Sequence, residues 1–308
     1  MSGTHPPRTP RALDVAVRAH AKLGEGPTWD AARARLIWVD ILTSRVHTFD
    51  PATGARTVLV TEQHVGAAKP REGGGLVVNL RDGIGLFGPE DADAGTGADA
   101  GAVPRRAFSW LHRDPVPGRR GNDAAVAPDG ALWAGSMRYD EAAGGGVLAR
   151  VTGDGTVRTV LPDVTISNGT GWSPDGRLMY YIDTPTGRID VLPFDGHDVD
   201  VARRRPLAEI EESAGYPDGL TVDAEGCVWV ALWDGAALRR YTPDGALDRT
   251  VPLPVRRPTA CAFGGPGLRD LYVTTALTGA DPARQPLAGS LLVLPDAGQG
   301  LPQPVFAG

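Results

Sequence analysis

The stretch Gly121-Asn122-Asp123-Ala124-Ala125-Val126-Ala127-Pro128-Asp129-Gly130-Ala131-Leu132-Trp133-Ala134-Gly135-Ser136-Met137 holds a polar pair, a short apolar run, a Pro-Asp-Gly turn and a second apolar run. Short apolar runs on either side of such a turn read as two antiparallel strands. The phrase returns as Ser167-Asn168-Gly169-Thr170-Gly171-Trp172-Ser173-Pro174-Asp175-Gly176-Arg177-Leu178. It returns again as Pro217-Asp218-Gly219-Leu220-Thr221-Val222-Asp223-Ala224-Glu225-Gly226-Cys227-Val228. In every copy an oxygen-bearing side chain stands four residues before an apolar landmark: Asn122/Val126, Asn168/Trp172 and Asp218/Val222. Glu25 and Trp29 keep the same offset in Glu25-Gly26-Pro27-Thr28-Trp29-Asp30.

Outward from these phrases the chain keeps the period. Anchors at Glu25, Gly66, Asn122, Asn168, Asp218 and Thr259 follow one another at steps of 41 to 56 residues, the longest step containing the Gly/Ala/Asp-rich stretch 88–104. That stretch reads as a flexible connection inside the repeat. A period of about 40–50 residues built from four short strands marks a β-propeller blade. The expected fold is therefore all-β: a six-bladed β-propeller of four-stranded antiparallel blades around a central channel, with residues 14–308 as one domain. Residues 1–13 read as a disordered tail. Residues 14–20 alternate apolar and polar and read as an orphan strand that completes the last blade, joining the two ends of the chain. Two stacked β-sandwiches would not put a repeat in phase over the whole length. The one helical candidate, residues 201–213, is interrupted by Pro206.

Bulk properties narrow the partners. The chain has 308 residues, a formal net charge of −6 and a pI near 5.5. That balance argues against nucleic acid or an anionic membrane. Only Lys22 and Lys69 of the 31 basic residues are lysines, so a lone Arg carries little functional information here. No apolar run approaches the roughly 18 residues of a membrane span, and residues 1–10 lack the apolar stretch of a secretory signal. Cys227 and Cys261 read as two buried thiols of a cytoplasmic protein, not as a disulfide framework. A monomer or weak homo-oligomer is expected.

In a propeller the innermost strand of each blade lines the channel, so residues at one phase of the repeat form a ring. The ring contains Gly66 and Thr259, both small, and Glu25, Asn122, Asn168 and Asp218, none of them positive. Oxygen donors gathered without a counter-charge are costly to desolvate unless a cation sits between them. An all-oxygen set with two carboxylates suits Ca²⁺, Mg²⁺ or Mn²⁺. Zn²⁺ stays open but lacks its customary His or Cys. The competing account takes each as a turn residue beside Gly.

The phrases Gly24-Glu25-Gly26-Pro27, Arg120-Gly121-Asn122-Asp123, Ser167-Asn168-Gly169 and Tyr216-Pro217-Asp218-Gly219 together resemble the SMP-30/gluconolactonase/luciferin-regenerating-like family, also called regucalcin-like. The resemblance runs from about residue 14 to the end. It implies a six-bladed propeller holding one divalent metal, with Glu25, Asn168 and Asp218 as ligands and Asn122 a fourth, closer to substrate. It also implies that Arg120 and Asp123 contact substrate hydroxyls. The family's further acidic contact falls on Asp140 in Gly135-Ser136-Met137-Arg138-Tyr139-Asp140-Glu141, with Glu141 as competitor.

The chemistry expected is hydrolysis of a sugar lactone, an aldonolactone, to the open-chain acid. A metal would polarise the carbonyl, and Asp218 would be the general base, as the resemblance also implies. A mouth rich in Asp, Asn and Arg suits a polyol better than a hydrophobic ester. There is no Gly-x-Ser-x-Gly elbow, and His5, His20, His47, His64, His112 and His197 form no metal-binding pattern. His64 and His112 precede inner strands, and each is placed to face the mouth or to lie exposed in a loop. Trp110, Tyr139 and Trp233 are candidate cleft walls, whereas Trp29 and Trp172 read as core. Asp40, Asp175, Asp183 and Asp223 read as structural. Two other readings remain: the same scaffold acting on another ester or organophosphate, and a non-enzymatic propeller that binds protein or Ca²⁺.

Overall fold

The computed structural model describes residues 12–89 and 106–308. The expectations for the tail at residues 1–11 and for most of the insertion therefore lie outside the described residues. Every other repeat forms a four-stranded antiparallel sheet whose strands follow chain order, and the sixth borrows Asp14–Val17 as its outermost strand, beside Leu291–Leu294. Six sheets around one axis make a six-bladed β-propeller, closed by joining the two ends of the chain. The innermost strands are Gly24–Asp30, Val65–Pro70, Arg119–Val126, Ser167–Trp172, Tyr216–Val222 and Pro258–Gly264.

The core follows from the two faces of each sheet. Leu36, Ile37, Trp38 and Val39 are all buried, and their alternation sends Ile37 and Val39 towards blade 2 while Leu36 and Trp38 face blade 6. Met179 and Tyr181 likewise face blade 3, and Tyr180 and Ile182 face blade 5. One apolar cluster thus lies between each neighbouring pair of blades, six in all. Because second strands are covered on both sides, they read as continuous apolar runs. Trp29, stacked on Tyr272 with ring centroids 6.4 Å apart, closes the seam between blades 1 and 6. Trp172 packs against Trp133 at 6.0 Å.

Local differences from the expected elements have simple causes. Residues 201–213 are not helical: the strand Arg205–Glu209 lies between two short 3-10 turns, since Pro206 cannot donate within a helix but is tolerated on an outermost strand. The outermost strand of blade 2 is Phe108–Arg113, beyond the insertion. After blade 6 the chain runs under the propeller: Gly300 pairs with Asp223, Phe306 with Arg71, and the Ala307 N–H donates to Gly130 O (3.0 Å). These partners sit at the far ends of the inner strands of blades 5, 2 and 3, so the C-terminal segment crosses the channel end opposite the anchors. Phe306 is fully buried there, against Val126 and Val151. Both cysteines are buried free thiols, and no helix among the described residues is long and apolar enough to cross a membrane.

Candidate functional site

A register slip recurs at the anchor of every inner strand. It lies between Glu25 and Thr28, Val65 and Ala67, Gly121 and Ala124, Ser167 and Thr170, Pro217 and Leu220, and Pro258 and Ala260. A bulge adds one residue to the strand and re-aims the side chain it carries. Here it turns the anchors towards the channel mouth, where Glu25, Asn122, Asn168 and Asp218 line one cavity of about 390 Å³ with Arg120, Glu141 and Thr184. The two other anchors stay out of the cavity, Gly66 for a steric reason and Thr259 through its hydrogen bonds. A Cβ on Gly66 would overlap the Asn122 carbonyl, and Thr259 turns aside to donate to Gly24 O (2.5 Å) and to meet Thr274 Oγ1 (2.8 Å).

The four oxygen-bearing anchors differ in how the protein satisfies them. Asp218 and Asn168 are each 5% exposed, and the Oδ1 atom of each is sealed from solvent with no hydrogen-bond donor, although the Asp218 carboxyl takes one side-chain hydrogen bond from Asn168. Glu25 Oε2 accepts one bond, from the Gly26 N–H (3.0 Å). Burial, and next the Asp123 carboxyl, hold Glu25 up at about 8. Burial, then Glu25 and Asp123, raise Asp218 well above the usual carboxylate range. Asn122 is different, because Arg120 Nη1 donates to its Oδ1 (2.7 Å) and its Nδ2 donates to Ser167 O (2.9 Å). Among the described residues no three His, Cys, Asp or Glu side chains gather around one point. What the cavity offers is an oxygen set of two carboxylates and amide carbonyls, and buried oxygens without donors are the kind of group a hard cation satisfies.

Supporting residues fix these side chains. Thr184 Oγ1 accepts from Asn168 Nδ2 (3.0 Å) and donates to Pro217 O (2.9 Å), which points the Asn168 carbonyl oxygen away from that bond. Asn79 Nδ2 donates to the backbone oxygens of Asn122 (3.0 Å) and Gly135 (2.8 Å). Asp40 accepts from the Lys22 and Leu23 N–H groups, both at 3.0 Å, and so holds the segment entering Glu25. Asp183 accepts from the Thr165 and Ile166 N–H groups and does the same for Asn168. Asp223 takes the Cys227 N–H, Trp229 Nε1 and Arg240 Nε.

The remaining expected contacts divide. Arg120, 6% exposed, lies in the cavity wall with its guanidinium 6.0 Å from the Tyr139 ring centroid. Tyr139 OH in turn meets His64 Nδ1 (2.7 Å), so His64 is joined to Arg120 of the cavity wall through the Tyr139 ring without lining the cavity itself. His112 and Trp110 do not line it either: both sit on the outermost strand of blade 2, Trp110 packing on Phe108. Asp140 is turned outward and forked by Arg138 (2.8 and 2.6 Å), whereas Glu141 lines the cavity. Asp123 does not line the cavity. Burial raises its carboxyl, and the Lys69 ammonium pulls it back. Lys69 is a cation that the reading of the ring as free of positive charge passed over. It is buried in the inner strand of blade 2, its Nζ donates to Thr28 Oγ1 (2.6 Å), and burial lowers its pKa against the pull of Asp123 and Glu25. Being one of two lysines in the chain was the available signal. The mouth is also less polar than expected, because Leu23, Met137, Ile166, Pro185, Tyr216 and Trp233 share its lining.

Residues 23–277 match the model of the SMP-30/Gluconolactonase/LRE-like region. The chain is 35% identical to a 6-deoxy-6-sulfogluconolactonase of Pseudomonas putida, over 96% of this chain and 99% of that one. It is 36% identical to a pentonolactonase of Haloferax volcanii, over 86% and 84% of the two chains. The solved structure of a calcium-binding protein, regucalcin, from Agrobacterium tumefaciens superimposes with a TM-score of 0.87 at 28% identity, over 96% of this chain and 98% of the other. The chain belongs to the SMP-30/gluconolactonase/LRE-like family.

Proposed function

We propose that this protein is a divalent-metal-dependent hydrolase that opens a sugar lactone, an aldonolactone, to the aldonic acid. The observation that carries the reading is the pair of donorless buried oxygens, Asn168 Oδ1 and Asp218 Oδ1, in the same cavity as Glu25. Glu25, Asn168 and Asp218 would hold the ion, with Asn122 shared between it and Arg120. Ca²⁺, Mn²⁺ and Mg²⁺ suit this set, and Zn²⁺ less so. When bound, such an ion supplies positive charge that polarises the lactone carbonyl. The lactonase names of two relatives support the reaction class, and the calcium-binding description of the Agrobacterium protein supports the metal.

The chain's own groups then have defined tasks. Asn122 and Arg120 orient the ring, Arg120 with the guanidinium nitrogens that Asn122 and Gly121 leave over. Glu141 accepts from substrate hydroxyls. The Asp218 carboxylate takes a proton from water as that water adds to the carbonyl carbon. The ring C–O bond breaks, the proton passes to the departing oxygen, and Asp218 ends as it began. Both Asp123 and Asp140 act here as supports: Asp123 balances Lys69, and Asp140 anchors Arg138 beside the Tyr139 turn.

The test is to strip the protein with chelator and screen five- and six-carbon aldonolactones, with paraoxon beside them, against Ca²⁺, Mg²⁺, Mn²⁺ and Zn²⁺. Acid release that returns with cation and is lost in Asp218→Asn supports the reading. Lactone opening no faster than in buffer, or equal in Asp218→Asn, sinks it.

A further inference from the structure

Two residues before the anchors stand Leu23, His64, Arg120, Ile166, Tyr216 and Arg257. Leu23, Arg120, Ile166 and Tyr216 line the cavity directly. His64 reaches the rim through Tyr139, and Arg257 through Trp233, whose ring centroid lies 4.6 Å from its guanidinium. Arg257 is itself held by Asp234 (2.7 Å) and Thr278 O (2.6 Å), so the indole rests on a fixed cation. The rim is divided. Blades 2 and 3 contribute His64, Tyr139 and Arg120, with Met137 beside them, whereas blades 1, 4 and 5 contribute Leu23, Ile166 and Tyr216, with Thr184 the polar exception. Trp233 extends the apolar side, and Tyr216 remains 40% exposed there.

The aliphatic lining residues Leu23, Ile166 and Pro185 offer a hydroxyl group no partner for the water it gives up, and the ring faces of Tyr216 and Trp233 add apolar area beside them. A hydrocarbon group laid on them gains about fourfold in binding for each methylene buried. Exposed apolar surface inside a concave site points to an apolar piece of ligand. We infer that the site also opens lactones bearing an alkyl or aryl substituent, and prefers them to the unsubstituted ring of the same size. The substituent lies on Tyr216 and Trp233, while the ring carbonyl faces Glu25, Asn168 and Asp218. This rests on the lactone-opening reading and extends it to a second substrate class. The reaction is unchanged: water adds, the ring C–O bond breaks, and a hydroxy acid leaves.

The experiment compares kcat/KM for δ-decalactone, with its pentyl chain, and δ-valerolactone, which has none, using full-length cation-loaded protein. The expected ratio is about tenfold or more in favour of the pentyl compound, read mainly in KM, and it falls towards one in Tyr216→Ser and Trp233→Ser. A wild-type ratio near one overturns the inference, as does a ratio that neither substitution changes. If no lactone is opened, the hydrolase reading fails and ring opening of substituted lactones fails with it, and calorimetry with two non-hydrolysable lactams decides whether the apolar subsite exists. Tighter binding of 6-pentylpiperidin-2-one than of piperidin-2-one, lost in Trp233→Ser, supports an apolar subsite. Equal binding of the two overturns it.

Discussion

Replacing Thr184 by valine removes one hydroxyl that carries two bonds, from Asn168 Nδ2 (3.0 Å) and to Pro217 O (2.9 Å). Valine keeps the shape but takes away one acceptor of a buried amide whose remaining side-chain hydrogen bond goes to Asp218, a loss of about 1–3 kcal/mol. Rotation of the Asn168 amide relieves that loss by letting Nδ2 find other partners. The same rotation removes Oδ1 from its present place and presents N–H groups where a cation needs an acceptor. Divalent binding should therefore weaken by the same ~1–3 kcal/mol, or about five- to 150-fold. Titration calorimetry with Ca²⁺ and Mn²⁺ measures it, with Thr184→Ser as the variant that restores the hydroxyl and should stay within about threefold. Thermal melts of the cation-free proteins separate binding from folding. Wild-type affinity in Thr184→Val would show that the amide needs no holding. If affinity is also unchanged in Asn168→Ala, Asn168 is no ligand.

Three further outcomes follow from the same geometry. Gly66→Ala forces a Cβ into the Asn122 carbonyl, so it should cost about 1–3 kcal/mol in chemical denaturation and impair cation binding; unchanged values for both contradict the packing described. Lys69→Met removes a buried positive charge coupled to Glu25, and divalent affinity should rise about tenfold in a competition titration with a fluorescent chelator, whereas weaker binding would make Lys69 a support for the site. Burial, and next the Asp123 carboxyl, push Glu25 up to about 8. A carboxyl raised in the folded state costs nothing below its unfolded value, but as pH climbs towards 8 the unfolded chain sheds a proton that the folded chain keeps, and the cation-free protein loses stability. The gain in Tm on adding saturating Ca²⁺ should then be larger at pH 8 than at pH 5, and an equal or reversed gain would refute the assignment.

Much of this was legible in the residues alone. The repeat from Glu25 to Thr259 implied six blades, because a four-stranded unit cannot cover both of its faces unless the next unit packs against it. The anchors were legible for the same reason: equal phase in equivalent strands means equal height on the axis. The pairing of residues 14–17 with the last blade followed from the need to leave no sheet edge open. What phase could not convey is direction at the scale of one side chain.

Only the tertiary structure decided that. Whether Asp140 or Glu141 turns inward depends on Arg138, which captures Asp140 outside the cavity. Whether Asn168 presents oxygen or nitrogen depends on Thr184, a residue of the next loop. The bond from Lys69 to Thr28 in the neighbouring blade and the passage of Phe306 beneath the channel leave no periodic mark, since each arises from neighbours far apart along the chain. Local pattern settles which strands form and which faces they bury. Hydrogen bonds and charges between separate blades settle which atoms face the channel, and those atoms carry the chemistry.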